Sequence, residues 1–185
     1  MHYKAMITGV MVMLVVGCSQ TTDVVQQTQA NQLAISSVKD APFYYPSGAR
    51  FAIEPRFVTS ELVSQAQQQA LYQATSLYLE QALRERGFIL VSAEQSPDFV
   101  VKFAVALAKD LSDESISEHF GLTPGLSNNE ALNKASLLIA IDDASSGQRF
   151  WRGAAQGFAK EDASKAYRAE RLKAVINKVL MQFET

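Results

Sequence analysis

The alternation of apolar and polar positions along the chain is clearest between residues 99 and 107. Phe99, Val101 and Phe103 share one face there, and a period of two over nine residues predicts a β-strand with one buried face. Four other apolar runs bounded by turn residues predict further strands, at residues 51–53, 88–91, 137–142 and 150–158.

The last two predicted strands are separated by residues 145–147, Ser-Ser-Gly. A three-residue hairpin loop that ends in a left-handed glycine is a common way to join two strands. This loop places Ile141 opposite Trp151 and Asp142 opposite Phe150. Apolar and polar side chains are then sorted onto separate faces, whereas a two-residue loop would mix them, because a slip of one residue exchanges the faces.

Two longer segments repeat apolar residues at helical spacing. The first helix is predicted to begin at Thr59-Ser60-Glu61 and to end at Arg86, before Gly87. Its apolar stripe comprises Val63, Ala66, Ala70, Ala74, Leu77 and Tyr78. The second helix is predicted from Glu161 to Phe183. Its stripe comprises Leu172, Val175, Ile176, Val179, Leu180 and Phe183.

The predicted order of elements is β-α-β-β-β-β-α, which gives an α+β fold. A single antiparallel-rich sheet carries two long helices packed on one face, since each helix has one apolar stripe to bury. The opposite face is expected to be more open and to display Lys102, Asp142 and Arg152. Residues 110–134 are polar and rich in turn residues, so a long loop with room for one helical turn is predicted there.

The first eighteen residues are typical of a secretion signal. Lys4 supplies a positive start, and the apolar run from Ala5 to Val16 is too short for a hydrocarbon core, which needs ~20 residues. Val15-Val16-Gly17-Cys18 resembles the bacterial lipobox, in which the peptide is cut before the cysteine and the thiol is diacylated. Cys18 is therefore expected to carry a lipid. A buried helix with an accidental cysteine is the less favoured interpretation.

The chain is thus predicted to divide into a signal peptide at residues 1–17, a lipidated cysteine with its tether at 18–48, and a globular domain at 49–185. The segment after the cysteine is rich in Gln, Thr and Asn, which is typical of a flexible tether. The membrane is the first expected partner, through the lipid. Ser19 follows the cysteine in place of aspartate, and by resemblance to Gram-negative lipoproteins this favours the outer membrane, with the domain facing the periplasm.

Composition and charge argue against several function classes. The formal net charge is −2, so there is no basic excess and nucleic acid is not an expected partner. Cys18 is the only cysteine, which leaves no disulfide and no thiol nucleophile. His119 has several acidic residues near it in the sequence. Zinc sites use more His or Cys ligands than this segment offers, so neither a metal nor a cofactor is predicted. Ser36-x-x-Lys39 matches a nucleophile pattern of penicillin-recognising enzymes but lacks its companion Lys-Thr-Gly.

Several short motifs together resemble a bacterial family. They stand at residues 83–88 (LRERGF), 97–101 (PDFVV), 141–144 (IDDA) with Gly147, 150–153 (FWRG) and 179–183 (VLMQF). Their order and spacing are similar to the family catalogued as domain of unknown function 4136, whose members are typically lipoproteins. The resemblance spans about residues 50–184 and implies fold and location, but no established activity. The opening strand and the 110–134 loop depart from the family pattern.

No catalytic set is visible, so the protein is not predicted to be an enzyme. The leading interpretation is a non-catalytic binding or scaffolding domain held at the membrane, with an envelope protein as its partner. Arg152, Asp142 and Lys102 are the candidate partner-binding residues. In a second, structural interpretation of the same strand, Trp151 anchors the core and Gly153 lets a helix approach the sheet.

Two other functions stay open from the sequence. One is a small-molecule or lipid carrier in the periplasm, which would need a pocket between the helices and the sheet. The other, less favoured, is an envelope hydrolase. It would need a pair of acids in one cleft with strongly shifted ionisation.

Growth of the source bacterium with radioactive palmitate tests the anchor. We expect the wild-type protein to incorporate the label and Cys18→Ala to incorporate none, because the cysteine thiol is the only acceptor the lipobox offers. An unlabelled wild-type protein would contradict the lipoprotein assignment.

Overall fold

The computed structural model of the protein describes residues 30–160 and 162–183, so the predicted signal peptide and Cys18 lie outside the described residues. The fold is α+β, as predicted. The strands are β1 Leu33–Lys39, β2 Arg50–Pro55, β3 Ile89–Leu90, β4 Phe99–Leu107, β5 Lys134–Asp143 and β6 Arg149–Phe158. The helices are α1 Gln65–Arg84, α2 Asp113–His119 and α3 Lys165–Leu180. A 3-10 turn spans Ala93–Gln95.

The six strands form one sheet in the order β1-β6-β5-β4-β2-β3. The pairs β1–β6, β6–β5 and β5–β4 are antiparallel, whereas β2 runs parallel to both β4 and β3. The sheet is therefore mixed, with its parallel pairs at one side. These pairs arise because α1 connects β2 to β3, and such a crossover returns the chain in the same direction.

β1 lies in the region that the sequence assigned to the tether. Leu33–Lys39 pairs with β6 along its whole length, and Leu33 and Ile35 pack against the core. The predicted domain start at residue 49 is therefore wrong, because the sheet already includes residue 33. β6 needs hydrogen-bond partners along both of its edges, and a partner from a distant segment leaves no mark in local composition.

α1 is shorter than predicted, and the face that it buries differs from the predicted one. It starts after Ser64, which forms a capping box with Gln67, rather than at Thr59-Ser60-Glu61. Its buried side chains are Tyr72, Thr75, Leu79, Ala82 and Leu83. The predicted stripe is wrong, since its exposed members include Ala66, Ala70 and Leu77. The observed orientation buries Tyr72, Leu79 and Leu83, whose large apolar side chains contribute more burial free energy than the alanines of the predicted stripe.

The core lies between the sheet and helices α1 and α3. Trp151 on β6 is the largest fully buried side chain. Its indole lies beside Gly153, where an added Cβ atom would collide with the Trp151 ring and with Val179 of α3. Gly153 therefore allows α3 to approach the sheet closely, which agrees with the structural interpretation of this strand.

The opposite face of the sheet is covered rather than open at its centre. Ile116 of α2 is buried against Leu138 and Ala154 of β5 and β6. The predicted open face is wrong at this point, and the predicted 110–134 loop contains a helix of seven residues. Two turns of helix are too short for an apolar period to stand out in a polar segment.

The β5–β6 hairpin largely follows its predicted register. The pairing of Ile141 with Trp151 is confirmed. The predicted pairing of Asp142 with Phe150 is wrong, because a β-bulge shifts the register and places Asp142 opposite Arg149. The loop is one residue longer than predicted. Its last residue, Gly147, has the expected left-handed backbone, with φ of +70°. The shift brings Arg149 to the Asp142 carboxylate.

We expect Gly153→Ala to lower the free energy of unfolding by about 1–3 kcal/mol, because the added methyl group overlaps Trp151 and Val179. Gly157→Ala on the same strand is the matched control, since its Cβ would meet its neighbours only at 3.4 Å or more. Urea denaturation followed by the fluorescence of the single tryptophan measures both. Equal destabilisation by the two substitutions would contradict the close approach of α3.

Candidate binding site at the hairpin end of the sheet

The residues predicted to meet a partner share the sheet face opposite α1 and α3. Two of them, Lys102 and Asp142, form an ion pair, with Lys102 Nζ 2.8 Å from Asp142 Oδ2. Arg149 Nε also donates to the other oxygen, Asp142 Oδ1, at 3.0 Å. Asp142 is only 4% exposed. Burial alone would raise the pKa of Asp142, but the hydrogen bonds from Lys102 and Arg149 outweigh it and hold that pKa below its ordinary value.

The third predicted residue, Arg152, joins three segments of the chain. Its guanidinium binds both carboxylate oxygens of Asp40, at 2.9 and 2.5 Å, and donates to the Phe120 carbonyl oxygen at 2.5 Å. Gly121 leaves room for this contact, because a Cβ atom there would collide with the guanidinium. The three predicted residues are thus bonded to other groups of the chain, and their role in partner binding stays a prediction.

A buried polar network fixes α2 to the sheet. Lys134 Nζ binds one carboxylate oxygen of Asp113 at 2.5 Å, and Gln156 Nε2 donates to the other at 2.7 Å. Lys134 is 4% exposed and Gln156 is fully buried. Because these polar groups are hydrogen-bonded inside the domain, the network is structural.

A cleft that the sequence did not reveal lies at the hairpin end of the sheet, where the β5–β6 hairpin turns. It has a volume of about 550 Å³ and is lined by residues 45–49, Pro97, Asp98, Asp143 and Ser145. We call it the acidic cleft. The loop before β2, the turn before β4 and the hairpin meet there. The one related signal in the sequence is that two lining residues belong to the motifs that resemble the family: Asp98 to PDFVV and Asp143 to IDDA.

Tyr45 is held in the wall of the acidic cleft by ring packing. Its ring centroid lies 4.5 Å from that of Phe99, and the residue is only 9% exposed. The Tyr45 hydroxyl is buried and faces the Asp143 side chain, although no described group lies within 3.5 Å of it in hydrogen-bonding geometry. Burial raises the pKa of Tyr45, and the charges of Asp143 and Asp98 and the hydrogen-bonding interaction with Asp143 raise it further, so the hydroxyl stays protonated.

The two carboxylates of the acidic cleft each use one oxygen to accept hydrogen bonds from backbone or serine groups of the described residues. Asp98 Oδ2 accepts the Arg50 N–H at 2.6 Å. Asp143 Oδ1 accepts the Ser145 hydroxyl at 2.6 Å and the Ser146 N–H at 2.8 Å. These bonds, with the Ser146 hydroxyl, lower the pKa of Asp143 to about 2.

Asp98 Oδ1 accepts no hydrogen bond from the described residues, and the Asp143 carboxylate also faces the Tyr45 hydroxyl. Neither lysine nor arginine lines the acidic cleft. The cleft therefore presents two carboxylates without a cationic partner, beside a neutral hydroxyl.

The other chemical candidates of the sequence are not assembled into a site. The His119 side chain is 76% exposed, and no group of three His, Cys, Asp or Glu side chains in residues 30–160 and 162–183 is placed to hold a metal. Ser36 lies within β1, opposite Ala154, and Lys39 Nζ lies over the ring of Phe43. None of the helices in the described part of the chain is long and apolar enough to span a membrane.

We expect Arg152→Ala to lower the free energy of unfolding by about 2 kcal/mol, because it leaves Asp40 and the Phe120 carbonyl without their partner. The double substitution with Asp40→Asn should cost less than the sum of the two single ones. Arg56→Ala is the control, since its pair with Glu54 is exposed and should contribute under about 0.5 kcal/mol. Urea denaturation measures the free energy of unfolding of all four variants. If Arg152→Ala destabilised the domain no more than Arg56→Ala, the bonds of Arg152 to Asp40 and Phe120 would not contribute to stability as stated.

Comparison with solved structures gives distant matches. A DUF4136 family protein from Bacteroides thetaiotaomicron is 11% identical, with a TM-score of 0.47 over 82% of this chain and 95% of that one. The PelC dodecamer from Paraburkholderia phytofirmans is 11% identical, with a TM-score of 0.48 over 80% and 95%. A lipoprotein from Neisseria meningitidis is 11% identical, with a TM-score of 0.40 over 75% and 100%. Likeness at this level carries no argument about function.

No curated protein matches the sequence significantly. The family comparison covers most of the chain: the family described as Domain of unknown function (DUF4136) matches residues 36–183. The match runs from β1 to the turn that follows α3. Neither the description of the family nor the names of these structures indicates a catalytic activity. The resemblance found in the sequence motifs is confirmed, and the chain belongs to the DUF4136 family.

Proposed function

We propose that the protein is a lipid-anchored envelope protein whose domain binds a partner and catalyses no reaction. The acidic cleft carries this proposal. Asp98 and Asp143 stand there without a lysine or arginine in the lining, beside the buried hydroxyl of Tyr45. Neighbouring like charges disfavour the folded state, and polar groups that converge on one concave surface are typical of a binding site.

The ionisation of the acidic cleft supports binding over hydrolysis. A general acid or base works best with a pKa near the working pH, and hydrolases that use two carboxyl groups raise one of them. The pKa of Asp143 is instead lowered to about 2, so its carboxylate stays charged at neutral pH. A permanently charged carboxylate is suited to attracting a cationic group.

The packing of the core supports a binding protein over a lipid carrier. A carrier would need an apolar cavity between the helices and the sheet. That layer is occupied by fully buried side chains from both sides, among them Trp151, Phe103 and Leu79. Close packing of this kind leaves acyl chains no room without rearrangement.

The anchor and its location complete the proposal. Cys18 would hold the domain at the membrane through its lipid, and Ser19 after it favours the outer membrane over the inner one. The chain of residues between Cys18 and β1 would then act as the tether. Its length would let the domain face the periplasm close to the membrane surface.

Photo-crosslinking from beside the acidic cleft tests the proposal in the native envelope. Tyr44 is 75% exposed and directly precedes Tyr45, which lines the cleft, so a photoreactive phenylalanine in its place stands one residue from the lining. We expect a discrete crosslinked product that is lost in Asp143→Asn, because this variant removes one charge and keeps the acceptor for Ser145.

The same probe at Tyr167 on α3, which is 43% exposed, is the matched control and should give no such product. Identical products from both positions would contradict binding at the cleft. No product from either position, together with a ligand that native mass spectrometry finds bound to the protein, would favour the carrier instead.

A further inference from the structure

We propose that β1 pairs antiparallel with β1 of a second copy of this chain, so that the two six-stranded sheets join into one continuous sheet. The inference goes beyond the proposed function, because it concerns the outer edge of the sheet and not the acidic cleft. It names one occupant for that edge, a second copy, and one register, centred on Ser36.

β1 is the last strand of the sheet on the side of β6. One edge of β1 pairs with β6 along all seven residues, Leu33–Lys39. Among the residues that the structure describes, none outside β6 forms a hydrogen bond with the backbone of these seven. The outer edge of β1 therefore carries backbone N–H and C=O groups that another strand can bond.

The backbone groups that point to the outer edge belong to alternate residues. The Asp40 N–H, directly after β1, donates to the Phe150 carbonyl oxygen of β6 at 2.8 Å. Every second residue of an antiparallel strand bonds to the same neighbour, so Ala34, Ser36 and Val38 also bond to β6. The N–H and C=O groups that point outwards are those of Leu33, Ile35, Ser37 and Lys39.

The features by which proteins usually prevent edge pairing are missing from β1. Its sequence, LAISSVK, has no proline, its pairing with β6 has no bulge, and its only charged side chain is the last one, Lys39. The other side of the sheet differs: β3 has two residues, and β2 beside it ends in Glu54 and Pro55. Pairing with another strand is therefore favoured at β1.

A twofold axis through Ser36 pairs every residue of β1 with the same strand of the second copy. Leu33 then faces Lys39 of the other copy, and Ile35 faces Ser37. These are the residues whose N–H and C=O groups point outwards, so each such pair can exchange two hydrogen bonds. A shift of one residue would instead set them opposite residues whose groups point to β6.

The side chains of β1 are compatible with this register. Lys39 faces the apolar Leu33 of the other copy, so the two lysines are at opposite ends of the paired strands and like charges do not meet. Ser36 faces Ser36, and Ala34 faces Val38, so small or apolar side chains meet on the other face of the sheet. The strand is therefore complementary to itself.

The proposed lipid anchors allow both copies to share one membrane. A strand rises ~3.4 Å per residue, so the two Leu33 residues would be about 20 Å apart. Cys18 is followed by 12 residues up to Ala30, where the described chain begins, and these can span up to about 40 Å. Both lipids can therefore reach the same membrane surface. Anchoring in one membrane also raises the effective concentration of the second copy, which favours pairing through a short edge.

Cysteine crosslinking of the full-length protein in its native envelope tests the register. Ser36→Cys places two thiols at a pair that is not hydrogen-bonded, with Cα atoms about 4.5 Å apart, which suits a disulfide. Ser37→Cys is the matched control, since its two Cα atoms would be about 8 Å apart, too far for a disulfide. We expect at least about tenfold more disulfide-linked dimer from Ser36→Cys. The wild type gives the background from Cys18.

Two lysine substitutions test the pairing without a covalent bond. Ser36→Lys sets two like charges directly opposite each other and should lower the dimer fraction at least about threefold. Val38→Lys adds the same charge to the same face but opposite Ala34, and should leave the fraction unchanged. Energy transfer between donor- and acceptor-labelled copies of the lipidated protein, in vesicles of phosphatidylethanolamine and phosphatidylglycerol, measures the fraction. Thermal unfolding confirms that both variants are folded.

A photoreactive phenylalanine in place of Val38, which is 36% exposed, identifies what lies along the edge. We expect a crosslinked product with the mass of two copies. Three results would overturn the inference: a product with another protein, a link within one chain to residues before Ala30, or no product together with equal disulfide yields from Ser36→Cys and Ser37→Cys.

These failures are separable from failure of the proposed function. A crosslinked product from Tyr44 without dimers through β1 would leave a binding protein that does not pair with itself. Dimers through β1 without the Tyr44 product would support the pairing and contradict binding at the acidic cleft.

Discussion

The packing of aromatic rings at the hairpin end of the sheet is the constraint on which the acidic cleft depends. The centroids of neighbouring rings in this group lie 4.5 to 6.2 Å apart, and the rings are those of Phe43, Tyr45, Phe99, Phe150 and Phe183. They come from the loop before β2, from β4, from β6 and from the turn after α3. Their burial therefore holds these segments together, and it brings the Tyr45 hydroxyl to the carboxylates of Asp98 and Asp143. The cleft stands on a rigid base rather than on a free loop.

Acidic side chains of the domain occupy two kinds of environment, one with cationic partners and one without. On the face opposite α1 and α3, acids are paired: Asp142 with two cations and Asp40 with Arg152. In the cleft two acids stand unpaired. The buried hydroxyl of Tyr45 also lines the cleft and faces the Asp143 side chain, so the acids that no lysine or arginine neutralises lie together at one place.

The parts of the fold that the sequence predicted well are those set by local pattern. β4 alternates over nine residues, and its observed bounds, Phe99–Leu107, are the predicted ones. The hairpin pairing of Ile141 with Trp151 follows from a turn and two flanking strands that are close in the chain. β1 was missed and α2 was predicted only as one helical turn within a loop, because their stability comes from distant partners: β1 completes the free edge of β6, and α2 depends on buried contacts with β5 and β6. Tertiary packing overrides a weak local signal in such segments.

The sequence by itself determined the α+β class, the family motifs and the expectation of a lipid on Cys18, since each is written in adjacent residues. It also placed Lys102, Asp142 and Arg152 on one face, because alternation along a strand is strict. Only the tertiary structure decided that these three are bonded within the domain and that the acidic cleft lies elsewhere. Tyr45, Asp98 and Asp143 are far apart in the chain, and they meet because β2, β4 and the hairpin begin or turn at one end of the sheet. Convergence of that kind depends on sheet order, which no local pattern encodes.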